Sequence, residues 1–472
     1  MLKSTVGTWV NYATTALFQV LFASRFGAGT DASSYALTFA IAVGVGATFV
    51  GTAQVMYLPR LLTQGDAVSL IVVRKMLRLT LIALAVFVVL AASAPLITPV
   101  LAPRLDLPGV HFALLIRTAC GFGFLQVVVG QLAVLCWARG ARFIPAMSPA
   151  IPSIITSIAL VITGAVSPSM LYLLLIAGSV IQLLVLTLTG GRDLGFSREP
   201  PEQRGEPPIL VSLGLFATAQ IIGPFQLLIA AHGSRSGGAD FNYAYRAIVV
   251  AQALIVGGVA AASLPEWSSY VRAQARRELA RSIERTISTA ALALSLAAAV
   301  GLVASTALVR VVFERGNFNA HDTRVVSAII VAALGGFVAE GVMLVLAQAL
   351  AADRRIRMMI AFGQGRAGVL ILLVAILGLT GGPIGVAAGY SAANVIALGL
   401  QLLYLRKDGM LPGQESRLVQ STVLITTCTG AAGAVLLAMH VPPVPAVVLV
   451  MAVFASVTIG VRGSLPDLRG PL

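Results

Sequence analysis

Stretches of about 20 apolar residues recur from one end of this chain to the other, the length of α-helix that crosses a hydrocarbon core about 30 Å thick. They lie near 5–24, 34–58, 77–102, 112–137, 145–166, 169–190, 208–231, 241–264, 287–313, 325–351, 357–380, 383–405, 419–440 and 443–461. Inside lipid each backbone N–H and C=O must be bonded within its own segment, so the pattern predicts an all-α integral membrane protein with about 14 transmembrane helices. Irregularities are expected in the Pro-rich fifth run (Pro145, Pro149, Pro152) and at Gly381-Gly382-Pro383 between the eleventh and twelfth. Charged residues make up 11% of the chain, less than half the roughly one quarter found in soluble domains, so water-facing domains are excluded over most of its length.

A net charge of +14 invites a nucleic-acid reading, and the placement of the charge answers it. With both termini cytoplasmic, one set of loops receives Lys3, Arg60, Arg74, Lys75, Arg78, the cluster Arg272, Arg276, Arg277, Arg281, Arg285, and Arg354, Arg355 and Arg357. The opposite set receives few, mainly Arg25, Arg104, Arg235, Arg310, Arg315 and Arg324. That asymmetry is the positive-inside rule; it orients a multi-pass chain with an even number of spans and calls for no nucleic acid. Met1-Leu2-Lys3 leads straight into a span without a small-residue cleavage site, so no cleaved signal peptide is expected. Cys120, Cys136 and Cys428 fall within spans, and His111, His232, His321 and His440 fall at outer loops or span ends, without metal-ligand spacing. No nucleotide-binding P-loop is present, so ATP-driven transport by this chain alone is not expected, and with no other enzyme signature the expectation is a non-enzyme without metal or cofactor.

Two polar connections stand out. Residues 191–207, with Arg-Glu-Pro-Pro-Glu and Arg-Gly-Glu-Pro-Pro, read as a flexible cytoplasmic linker. Residues 265–286 place Trp267, Tyr270, Leu279 and Ile283 among charges at helical spacing, which predicts an amphipathic helix lying on the inner leaflet. A repeat is also visible. Ser34-Tyr35-Ala36 opens the second span and Asn242-Tyr243-Ala244 the eighth, each after a Gly-rich turn with an Asp (Asp31, Asp240), and the two spans close at Leu58-Pro59 and Leu264-Pro265. The expected organisation is an N-lobe of six spans over 1–190, the linker 191–207, and a C-lobe of six spans over 208–406. Residues 407–472 then carry the last two spans and a tail. Parallel repeats of this kind suit a transporter that rocks about a central cavity.

Four segments carry a resemblance to a known family. They are Arg25-Phe26-Gly27-Ala28-Gly29; Ala141-Arg142-Phe143-Ile144-Pro145 through Pro149; Arg315-Gly316-Asn317-Phe318-Asn319-Ala320-His321-Asp322-Thr323; and Gly385-Val386-Ala387-Ala388-Gly389-Tyr390-Ser391 through Asn394. In this order they resemble the MviN/MurJ lipid II flippases of the MOP superfamily. That resemblance implies two six-helix lobes with pseudo-two-fold symmetry about a central cavity, plus two C-terminal helices, in the cytoplasmic membrane of a bacterium. The chain departs from the family in two places. Phe18-Gln19 stands where the family has Arg-Asp late in the first span, and Gly44-Val45-Gly46-Ala47-Thr48 replaces arginines in the second.

Charges deep in a span cost several kcal/mol unless they face water or a partner, so each is a functional candidate. Arg246, in a Tyr-Ala-x-Arg stretch that resembles the family's eighth span, would hold a diphosphate by bidentate bonds, or else snorkel to the outer interface. Arg366 lies nine residues past Arg357, about 14 Å of helix, too far to snorkel easily; it is either a second cavity cation or a partner for Glu340. Glu340 is either a proton or cation coupling site or half of a structural ion pair. Arg25 joins Arg246 and Arg366 as a substrate-binding candidate. Gln126, Gln220 and Asn394 either line the cavity or hold helices together, and the Arg315-Gly316-Asn317-Phe318 signature is read as a structural turn.

The expected function is alternating-access flipping of an undecaprenyl-diphosphate-linked saccharide, lipid II first, driven by a monovalent cation, a proton gradient or the membrane potential. Membrane lipid and the cell-wall synthesis machinery are the expected partners. The alternatives are export of another lipid-linked glycan or small amphiphile, or a non-transporting membrane scaffold.

Overall fold

The computed structural model describes residues 2–61, 67–101, 109–138, 141, 143–163, 166–190, 195–197, 209–353 and 355–408. The expected spans 419–440 and 443–461, most of the 191–207 linker, Cys428 and His440 lie outside the described residues. The first helices are α1 (Leu2–Phe26), α2 (Thr30–Leu61), α3 (Leu70–Ala92), α4 (Ala94–Leu101), α5 (Gly109–Ala138), α6 (Phe143–Met147), α7 (Ala150–Ile162) and α8 (Pro168–Gly190). After them come α9 (Ile209–Gly233), α10 (Gly237–Arg272), α11 (Arg276–Phe313), α12 (Ala320–Ala352) and α13 (Ile356–Lys407). Two three-residue strands, β1 (Ala67–Ser69) and β2 (Gly195–Ser197), pair in parallel with Val68 opposite Phe196.

The protein is a multi-pass membrane protein, helical in its described residues apart from this short strand pair and its turns. Among the described residues, seven helices and the α6–α7 pair taken together are long and apolar enough to cross a bilayer. The fifth expected span is two pieces, α6 and α7, divided where Pro149 cannot continue the first. The expected break at Gly381-Gly382-Pro383 is a kink inside α13, where Gly382 takes φ 58° and ψ −145°. The third span starts earlier than the hydropathy suggested, taking in Arg74 and Lys75, and breaks at Ser93 before α4.

By contact the chain forms two compact units, Met1–Asn242 with Arg315–Asn319, and Tyr243–Glu314 with the residues from Ala320 onward. The repeat-based lobes are a different division, since α9 packs along α2 inside the first unit. That packing has a local cause. Pro224 in α9 has no N–H for the carbonyl of Gln220, and Gly44 of α2 sits so close that a Cβ there would lie 3.0 Å from that oxygen. Aromatic rings fill the interior of this unit: Phe22 lies 4.8 Å from Tyr35, which lies 5.1 Å from Tyr172, whose hydroxyl bonds Thr38 at 2.9 Å. Small residues let helices touch elsewhere, as where a Cβ on Gly178 of α8 would come 2.6 Å from Cα of Pro152.

The turn after α1 is closed by the family signature. Asn317 donates from its backbone N–H to the carbonyl of Ser24 at 2.8 Å and from Nδ2 to that of Arg25 at 2.5 Å, satisfying carbonyls that the end of α1 leaves open. Gly27 (φ 58°) and Gly316 (φ 60°) face these partners in left-handed conformations. A Cβ on Gly27 would sit 2.5 Å from the Asn317 carbonyl oxygen, and one on Gly316 would run into that of Ser24.

In the second unit α11, α12 and α13 pack in sequence. The expected surface helix over 265–286 is absent. α10 runs on to Arg272, the chain turns through Gln274 (φ 54°), and α11 starts at Arg276. The amphipathic pattern is real, but its apolar side meets the neighbouring helix: Trp267, Leu279 and Ile283 are buried, and the Trp267 indole donates to Ser282 Oγ at 3.1 Å. Tyr270 in this hairpin donates to Glu266 at 3.0 Å, and that bond together with the carboxylate charge raises the phenol above its ordinary pKa. Asp353, buried at the turn between α12 and α13, accepts from Arg276 at 2.8 Å and from Arg355 at 2.7 Å, and Arg355 also pairs with Asp408.

Candidate functional site

Two of the charged residues expected deep in the spans, Arg366 and Glu340, meet in the second unit. Arg366 lies in the first half of α13 and Asn394 in the second, and the kink at Gly382 folds the two halves so that Arg366 Nε donates to Asn394 Oδ1 at 2.7 Å. Arg366 Nη2 pairs with Glu340 Oε1 of α12. The other oxygen of Glu340 accepts from the Tyr390 hydroxyl at 2.5 Å, and Asn394 Nδ2 donates to the Tyr390 carbonyl at 2.9 Å. Residues 390 and 394 are one turn apart, so both present to the same side of the helix. Each ion would lose several kcal/mol of hydration at this depth, and the set of mutual bonds offsets that loss.

Backbone shape fixes the register. Gly336 lacks the Cβ that would strike the Tyr390 ring, so the ring lies directly against α12. Next along α13, Ser391 Oγ accepts from the Gly336 N–H at 3.0 Å and donates to the Ala332 carbonyl at 2.6 Å, two groups that an α-helix ordinarily joins to each other. Gln252 of α10 donates to the Phe337 carbonyl at 3.1 Å, and the Tyr245 ring meets Tyr390 edge-on at 6.1 Å. Arg246 follows Tyr245 and is half-buried.

The Arg366 side chain is 24% exposed and that of Glu340 13%. One turn before Arg366, Gly363 leaves bare backbone, with no neighbouring helix or side chain within 4 Å of where a Cβ would stand. A partly open cation, held by a carboxylate and flanked by uncovered helix, can receive an anionic group.

The remaining predicted residues stand elsewhere. Arg25 is in the first unit and exposed, donating to the carbonyls of Leu160 and Thr163, both at 3.4 Å, at the end of α7, where a cation suits the helix dipole. Gln126 joins α5 to α8 through Ser179 Oγ at 2.8 Å. Gln220 is half-buried on α9. Sequence reading passed over Tyr390 and Ser391 as site residues, although both lie in the Gly389-Tyr390-Ser391 stretch that carries the resemblance. It also passed over Arg117, which donates to the Ala91 carbonyl at 3.4 Å.

The family model described as lipid II flippase MurJ matches residues 22–455. The chain belongs to the MurJ lipid II flippase family. A solved MurJ in an inward closed conformation superposes with a TM-score of 0.78 at 16% identity, covering 98% of this chain and 100% of that one. An inward-facing MATE multidrug transporter of the MOP superfamily follows, with a TM-score of 0.63, 14% identity, and 84% and 94% covered. A MOP superfamily transporter from Pyrococcus furiosus gives 0.54 at 14% identity, with 86% and 94% covered. At these identities the likeness establishes the MOP fold alone. No curated protein sequence matches. Membership of the MurJ family makes this a flippase-type membrane transporter.

Proposed function

We propose that this MurJ-family chain flips an undecaprenyl-diphosphate-linked saccharide, lipid II first, across the bacterial cytoplasmic membrane. Both termini are cytoplasmic, and the lobes 1–190 and 208–406 alternate access to a central cavity. The observation that carries the reading is the partly open Arg366 guanidinium within an apolar span, one turn from the bare backbone of Gly363. The diphosphate meets Arg246 and Arg366 while the lipid tail stays in the bilayer. With no P-loop in the sequence, the driving force is an ion gradient or the membrane potential. The cell-wall synthesis machinery receives the product.

A second reading, another carrier-linked glycan or amphiphile, is favoured by the middle of α2. Gly44 and Gly46 pack so closely that Cβ atoms there would lie 3.0 Å and 3.2 Å from the carbonyl oxygens of Gln220 and Gly123, so helix contact occupies the stretch where the family carries arginines. The test is to express the chain in a bacterium depleted of its own lipid II flippase and measure lipid II reaching the outer leaflet. Restored exposure that falls at least tenfold with Arg246→Ala, at equal membrane abundance, is expected. A well-expressed protein that restores nothing sinks lipid II as substrate.

A further inference from the structure

The carboxylate that holds Arg366 has a consequence for any anion that comes to the same guanidinium. Of the donors on Arg366, Nε is given to Asn394 and Nη2 to Glu340, while the side chain stays 24% exposed and Gly363, one turn away, adds no side chain beside it. A phosphate or diphosphate approaching from that face meets a cation whose charge Glu340 already neutralises. Two anions on one guanidinium stand a few Å apart in a poorly screened setting, so each weakens the other's hold, and the weakening is reciprocal.

We infer that Glu340 is a built-in competitor for Arg366, a release residue that keeps the site from holding an anionic headgroup too tightly. The inference rests on the reading that a phosphate-bearing headgroup meets Arg366. The surroundings suit this use. Tyr390 bonds the oxygen of Glu340 that Arg366 does not take, so the carboxylate keeps a donor when the guanidinium turns to a ligand. Asn394 holds Nε and keeps the guanidinium in place through the exchange. The Ser391 bridge into α12 and the close contact of Tyr390 with Gly336 fix the distance over which the exchange happens. A purely structural ion pair would give stability without affecting anion affinity. A transporter needs a ligand that leaves, and a neutralised cation provides that.

The test measures binding of undecaprenyl diphosphate to the purified full chain in nanodiscs, with the uncharged alcohol undecaprenol as control. Glu340→Gln keeps the shape and an acceptor for Tyr390 while removing the competing charge, so affinity for the diphosphate should rise tenfold or more and that for the alcohol stay unchanged. Arg366→Gln should lower diphosphate affinity tenfold or more, and the double variant should resemble Arg366→Gln. Arg366→Lys, which keeps the charge without the planar fork, guards against a loss caused by misfolding and should retain part of the binding. If Arg366→Gln weakens binding but Glu340→Gln leaves it unchanged, competition is wrong and the headgroup reading stands. If neither variant changes diphosphate affinity, the anion is not held at Arg366, and both the inference and the observation carrying the proposed function fall.

Discussion

Single atoms decide whether the Arg366 site assembles. Gly335 and Gly336 are neighbours in α12, yet their surroundings differ sharply. A Cβ on Gly336 would strike the Tyr390 ring, whereas one on Gly335 would find its nearest neighbour, Ser391 Cβ, at an ordinary 3.6 Å. Gly336→Ala should therefore push α13 off α12 and cost about 1–3 kcal/mol. Gly335→Ala should be neutral or stabilise by about 0.5–1 kcal/mol, since alanine suits a helix better than glycine. Thermal melting of the two purified variants checks the contrast; equal melting temperatures would mean that Tyr390 does not rest on Gly336. The same ring contact sets the Tyr390 hydroxyl at Glu340, so Gly336→Ala should also lose the effect of Glu340→Gln on binding.

At the scale of elements, ends matter more than middles. Helices whose interiors are apolar on several sides have little to fix their register, and the polar turns supply it. The turn at Gly316 closes the end of α1 through Ser24 and Arg25, while Arg25 in turn closes the end of α7. Gly316→Ala would force alanine into a left-handed conformation costing about 1–2 kcal/mol and drive its Cβ into the Ser24 carbonyl. The expected outcome is a lower melting temperature with unchanged membrane insertion, measured on membranes by the protein remaining in solution after detergent extraction and heating. A variant as heat-resistant as the parent would show that the clasp contributes nothing. At the other end, the buried Asp353 ties the start of α11 to the turn between α12 and α13 in the same manner.

For the molecule as a whole, charge placement predicts orientation. With Cys120, Cys136 and Cys428 replaced by alanine, a single cysteine at the exposed position His321 should react with a membrane-impermeant maleimide in intact cells. One at the exposed position Arg281 should react only after the cells are opened. The reverse pattern would overturn the orientation and with it the direction of transport. The α10–α11 hairpin that carries Arg281 departs from the expected surface helix because its apolar residues pack against a helical partner. Hydropathy alone does not distinguish a helical partner from lipid.

Composition and periodicity by themselves determined the all-helical membrane fold, because lipid leaves the backbone no other way to satisfy its hydrogen bonds. They also located most helices, the proline break between α6 and α7, and the kink at Gly382. Motif spacing pointed to the MurJ family, and the rarity of charge inside the spans singled out Arg366 and Glu340. Three things were settled only by tertiary structure. Arg366 pairs with Glu340, not with a distant interface; Asn394 and Tyr390 complete that pair; and Gln126 and Arg25 bond to neighbouring helices. The reason is distance in the chain: Glu340 and Arg366 are 26 residues apart, and whether they meet depends on the turn between α12 and α13 and on the rotation of α12, while the fold of α13 at Gly382 decides whether Tyr390 and Asn394 join them. The last two are fixed by packing of small residues such as Gly336, whose role leaves no mark on hydropathy.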